Sequence, residues 1–200
     1  GAVFDAAGWH WAVASGAIGS VLAVIVVALT LRPTKPVQAD DSGRHFLDFR
    51  PVLANRKAVG FTLAYSVHNW ELFAFRSWIV AFLAFSYTRQ HDAAIWWNVT
   101  TIAALVNLMG WLASVSGNEA AVKWGRRRVI TIVMWTSMAV AALFGFASGW
   151  SFWLLVTLTF VYGATIAGES AAVTAGVVAA AREGQRGATM AMHATIGFIG

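Results

Sequence analysis

Within one apolar stretch the chain reads HNWELFAFRSW, His68 to Trp78, which sets an imidazole, an amide, a carboxyl and a guanidinium along a single segment. A carboxyl in a low-dielectric setting is easily held protonated, and imidazole titrates near neutrality, so Glu71 or His68 suits proton exchange. Arg76 suits an anionic group or a partner carboxylate. Charged side chains near a bilayer centre cost roughly 2.5–3.5 kcal/mol each on insertion scales, so they face a wet cavity or a partner. On a helix, at about 100° per residue, His68 and Glu71 lie about 60° apart on one face, and Glu71 and Arg76 about 140° apart. The expectation is that His68 and Glu71 face a central cavity. The competing reading is a structural polar cluster that orients this helix against a neighbour. Asn69 and Asn107 are further polar groups inside apolar runs, able to hydrogen-bond across helices or to a solute. Glu169, in GESAAVTAG, could stand in an inner vestibule, at the interface or buried.

Other chemistries lack their residues. There is no HExxH zinc pair, GxSxG turn, GxxxxGK[ST] loop or GxGxxG fingerprint, and the histidines at 10, 45, 68, 91 and 193 have no ligand spacing. Without cysteine there is no thiolate site or disulfide. The expectation is therefore a non-enzyme with no metal and no cofactor.

The elements that must position these residues are membrane spans. Hydrophobic residues make up 58% and charged residues 12%, against about 45–50% and about 25% in soluble proteins. The excess of Lys and Arg gives a net charge of +5, but the positive residues lie between apolar stretches rather than in a nucleic-acid groove with stacking aromatics. Six lie from Arg32 to Lys57, four from Lys123 to Arg128, and two at Arg182 and Arg186. Arg89 alone marks one alternate gap, none marks the gap near Ser148, and Arg76 falls within a span. Basic loops stay inside, so this alternation gives each span a direction. The expected spans are 9–31, 58–87, 93–116, 129–147 and 150–181, with a truncated sixth from 187. Residues 32–57 form a long inner loop holding Pro33, Pro36 and Pro51, with a short interfacial segment around 46–53. Trp9, Trp11, Trp96, Trp97, Trp150 and Trp153 fall at outer ends, where tryptophan anchors to headgroups. Trp70, Trp78, Trp111 and Trp135 lie deeper. Small residues such as Gly163, Gly168 and Gly176 allow close helix approach. The chain opens on Gly1 and stops early in its last apolar run, which reads as an excerpt.

From Gly117 to Arg128 the chain reads GNEAAVKWGRRR, which resembles the GxLADRxGRR loop of the major facilitator superfamily. Lys123, Gly125, Arg126 and Arg127 match, while Asn118 replaces the first Gly and Val122 the Asp. Glu119, four residues before Lys123, is the candidate substitute for that acid. GWHW before the first span resembles the GWRW that precedes the sixth helix of the family, and REGQRG at 182–187 resembles its loop between the tenth and eleventh helices. The resemblance implies an all-α, polytopic transmembrane bundle, a partial C-terminal half with five full spans and a truncated sixth. Residues 1–31 would be the sixth helix, 32–57 the cytoplasmic linker between halves, and 58–200 the incomplete C-terminal bundle.

It also implies secondary active transport of a small solute by alternating access, coupled to a proton or cation, in a cell or inner membrane. Partners would be the solute, the lipid bilayer and the missing N-terminal half, with no nucleic acid. His68, Asn69, Glu71, Arg76 and Asn107 are the solute and coupling candidates. Glu119, Lys123, Gly125, Arg126 and Arg127 would form a cytoplasmic gate, or the basic residues simply hold that loop inside. The alternative function is a non-transporting membrane scaffold or sensor.

Overall fold

A computed structural model describes residues 2–32, 48–90 and 98–199, and every element among them is helical. Residues 33–47 of the expected inner loop, Trp96, Trp97 and the first part of the expected third span lie outside the described residues. The chain forms two compact units, Gly1–Ser42 and Gly43–Gly200.

The first unit holds α1, Ala2–Thr30, interrupted at Gly8 by a non-helical backbone with φ 82° and ψ 174°. Its hydroxyls are satisfied within the helix: Ser20 and Thr30 donate to the carbonyls of Gly16 and Val26, one turn earlier. This is how a polar side chain is accommodated in an apolar helix without a partner.

The second unit begins with a single turn, α2, Arg50–Leu53, carrying Pro51 near its start, and continues into α3, Arg56–Thr88. Asn55 caps α3 by accepting from the Ala58 amide at 3.3 Å, while its own amide donates to the carbonyl of Ala180 at 2.7 Å. One side chain thus closes the start of α3 and ties it to the end of another helix. Then follow α4, Val99–Trp124, capped by Asn98, and α5, Arg126–Gly145. After a 3-10 turn at Ala147–Gly149 come α6, Phe152–Ala180, and α7, Arg186–Ile199.

Among the described residues four helices are long and apolar enough to cross a bilayer: Ala6–Thr30, Val99–Trp124, Arg126–Gly145 and Phe152–Ala180. By that measure the described residues are those of an all-helical membrane protein. The two other expected crossings differ for physical reasons. α3 has 33 residues, but His68, Asn69, Glu71 and Arg76 interrupt its apolar run, and α7 has 14 residues. At about 1.5 Å per residue α3 is about 50 Å long, well beyond a hydrocarbon core of about 30 Å. α4 ends eight residues beyond the expected 116, because nothing from Gly117 to Trp124 breaks a helix until Gly125.

Gly125 is the single residue between α4 and α5, with φ 92° and ψ 126°. A Cβ there would meet nothing within 4 Å, so the demand is conformational and not steric. Gly125→Ala is expected to cost about 1–3 kcal/mol, read as a lower unfolding midpoint in detergent.

α6 is the central helix of the second unit and packs against α3, α4, α5 and α7. Two apolar cores lie along it. One joins Phe75, Ile79 and Leu83 of α3 to Ile102 and Val106 of α4 and to Phe152 and Leu155 of α6. The other joins Ala121, Val129 and Ile130 to Ala172 and Val173, with Phe61 and Tyr65 beside them. Between the two cores, at the middle of the helices, lie the polar residues.

Candidate functional site

Each polar side chain in the middle of α3 meets a different neighbouring helix. Nδ1 of His68 lies 3.1 Å from Oε1 of Glu169 on α6, with both side chains about 1% exposed. Ser137 of α5 donates to Glu71 at 2.7 Å. Nε of Arg76 donates to Oδ1 of Asn107 on α4 at 3.0 Å, and Asn107 in turn donates to the carbonyl of Ala103 at 2.8 Å. Asn69 donates to the carbonyl of Gly197 on α7 at 2.8 Å. At about 100° per residue His68, Asn69 and Glu71 point in different directions, while Arg76 shares the face of Asn69 two turns further along and so meets a different neighbour.

His68, Arg76 and Asn107 nevertheless line one cavity of about 270 Å³, between α3, α4 and α6, together with Trp111, Ser114 and Ser170. Gly110 and Gly163 are also among its lining residues. A Cβ on Gly163 would stand 2.2 Å from Val106 and one on Gly110 3.3 Å from Ala167, so α4 and α6 approach closely there. Arg76 and Asn107 are exposed on the open side, while His68 closes the buried side.

Glu71 departs from expectation. It does not share this cavity but borders an apolar groove between α3, α5 and α6, lined also by Trp70, Met134, Trp135 and Tyr162. The angle of about 60° from His68 suffices to turn its carboxyl toward α5, where Ser137 receives it. The expectation that His68 and Glu71 act on one cavity is corrected accordingly. The carboxyl beside His68 is instead Glu169, which is buried rather than vestibular or interfacial. It is bracketed by Gly168 and Ser170, and an acid among such small residues, on a helix packed on several sides, was the available signal.

Two atoms of this pair keep no partner among the described residues: Nε2 of His68 and Oε2 of Glu169. The cluster extends toward α7, where Tyr65 stacks on the buried His193 with centroids 4.1 Å apart and lies 6.0 Å from the His68 ring. Among the described residues no group of three or more acids and histidines could hold a metal ion.

The basic loop stands apart from this site. Glu119 and Lys123 are both exposed on α4, and among the described residues no ion pair joins them; the Lys123 ammonium lies 5.6 Å from the Trp124 ring. Arg127 and Arg128 are exposed, and Arg126 is half-buried, with its Nε unpaired. Gly125 supplies the turn that presents them.

In comparisons with protein-family models, curated proteins and solved structures, nothing matches the chain.

Proposed function

We propose that this chain is part of a secondary active transporter that carries a small solute across a cell or inner membrane by alternating access, coupled to a proton or cation. The observation that carries the reading is the mid-bundle cavity where His68, Arg76 and Asn107 meet between two apolar cores. Intramembrane ionisable residues are costly and usually face a solute path or a partner. The GNEAAVKWGRRR loop and the order of the other motifs add the resemblance to the major facilitator superfamily. On this reading α3 and α7 also belong to the membrane bundle, and the half that faces Arg76 completes the cavity. Transporters of this kind bind at the bilayer midplane between two structural repeats.

His68 and Glu169 are the proton-carrying pair in this proposal. A carboxyl and an imidazole at 3.1 Å in a dry setting can share and release one proton with little rearrangement. In proteoliposomes, Glu169→Gln is expected to abolish solute accumulation driven by a pH gradient while leaving exchange of internal for external solute within about threefold. Gradient-driven accumulation at the wild-type level would remove the pair from coupling.

The scaffold reading is favoured by one observation: the polar residues of α3 are distributed to α4, α5, α6 and α7, as they would be in a helix that only organises its neighbours. It requires a packed interior and no solute flux.

A further inference from the structure

We infer that the solute of this cavity is a small organic anion, a carboxylate with an apolar body, held by Arg76. The inference rests on the transport reading for its biological setting but on the cavity's own charge for its chemistry.

No carboxylate lines the cavity among the described residues. The acids nearest to it are already committed: Glu169 lies beneath His68, and Glu71 faces the separate groove with Ser137. Arg76 uses its Nε on Asn107, and no acid pairs with its guanidinium among the described residues. Its two terminal nitrogens therefore retain the forked donor geometry that matches a carboxylate. His68 lines the buried side, but its Nδ1 is held by Glu169 and its Nε2 has no accessible surface, so the anion's charged contact is Arg76.

The rest of the wall is apolar or neutral. Phe75, Val106 and Trp111 supply a surface for a hydrocarbon or aromatic body, while Ser114 and Ser170 supply neutral hydroxyls. A cation would face a guanidinium with no counter-charge among the described residues. A polyol's hydroxyl oxygens could accept from the guanidinium but would leave its charge without a counter-ion. The volume of about 270 Å³ lies near the lower end of the roughly 300–1,000 Å³ typical of small-molecule sites, which suits a compact molecule.

The test uses full-length protein in lipid nanodiscs and two matched series: benzoate, benzamide and benzylamine, then butyrate, butyramide and butylamine. Within each series shape is nearly constant and charge changes from negative through zero to positive. Thermal unfolding is expected to be shifted upward by the acid of at least one series and not by its amide or amine. Arg76→Gln is expected to weaken that acid at least tenfold, and Arg76→Lys, which keeps the charge but not the fork, to fall between the two. Binding of an amide or amine as tight as the acid, no shift by either acid, or unchanged acid binding in Arg76→Gln would each overturn the assignment. Uptake into proteoliposomes separates the two readings. An acid that binds through Arg76 but is never taken up removes transport and keeps the anion site. Uptake of an amide or amine that ignores Arg76→Gln removes the anion site and keeps transport.

Discussion

His68→Leu is expected to destabilise the protein by about 3–5 kcal/mol, the range for removing one partner of a buried ion pair. Glu169 is about 1% exposed, and His68 is the side chain that bonds it; once the ring is gone, both carboxyl oxygens are left without a partner. The double replacement His68→Leu with Glu169→Leu removes the polar demand at both ends, so most of the lost stability is expected to return. The two measurements together divide structure from function. Unfolding in detergent reports the stability, and gradient-driven uptake reports the coupling. If the double variant is as stable as wild type and still accumulates solute, the pair is only a packing device. If it is stable and uncoupled, burial of these charges is retained for the proton. A His68→Leu variant as stable as wild type would show that Glu169 is satisfied by another group.

The helices were legible because apolar runs and basic gaps alternate, and lipid leaves the backbone little choice but to bond within each segment. The ends were less so. α4 continues past Ser116 through Glu119 and Lys123, residues that favour a helix but carry no apolar signal, and Gly125 is what stops it. His68, Arg76 and Asn107 were legible as polar interruptions of apolar runs, and the structure places these three on one cavity. Glu169 was not, because its pairing with His68, 101 residues away, depends on how α6 seats against α3. Gly176 of α6 is part of that seating: a Cβ there would stand 2.6 Å from the Phe61 ring of α3, a contact that no spacing in one helix reveals. Glu71 was expected to face one cavity with His68 but meets Ser137 of α5, since about 60° around a helix is enough to separate contact with α6 from contact with α5.

The position of α6 is what makes the site possible, and the charges in it work against helix association. Lipid tails are as apolar as the helices, so the bundle is held by close packing and interhelical hydrogen bonds. Asn55 to Ala180, Ser66 to Ile196 and Asn69 to Gly197 tie α3 to α6 and α7. The closest approach is elsewhere, between α4 and α6.

Gly117→Ala is therefore expected to be the most damaging single-methyl change in the second unit. A Cβ at Gly117 would lie 1.7 Å from the carbonyl oxygen of Gly168 and 2.6 Å from its carbonyl carbon. Backbone cannot rotate away as a side chain can, so α4 and α6 must separate by more than an ångström. Overpacking of a well-fitted core typically costs about 1–3 kcal/mol, and this site lies at the upper end because the opposing atoms are main chain. Separation would also pull Gly168 and its neighbour Glu169 off their seat, and with them the contact to His68 at 3.1 Å. Both stability and coupled uptake should fall together. Gly60→Ala is the control: it is also helical, in α3, and a Cβ there meets nothing within 4 Å, so it should be neutral or stabilising by up to about 1 kcal/mol. Equal unfolding midpoints for the two variants would mean that α4 and α6 do not meet backbone to backbone. A loss confined to Gly117→Ala ties the geometry of the cavity to the two glycines that let its walls approach.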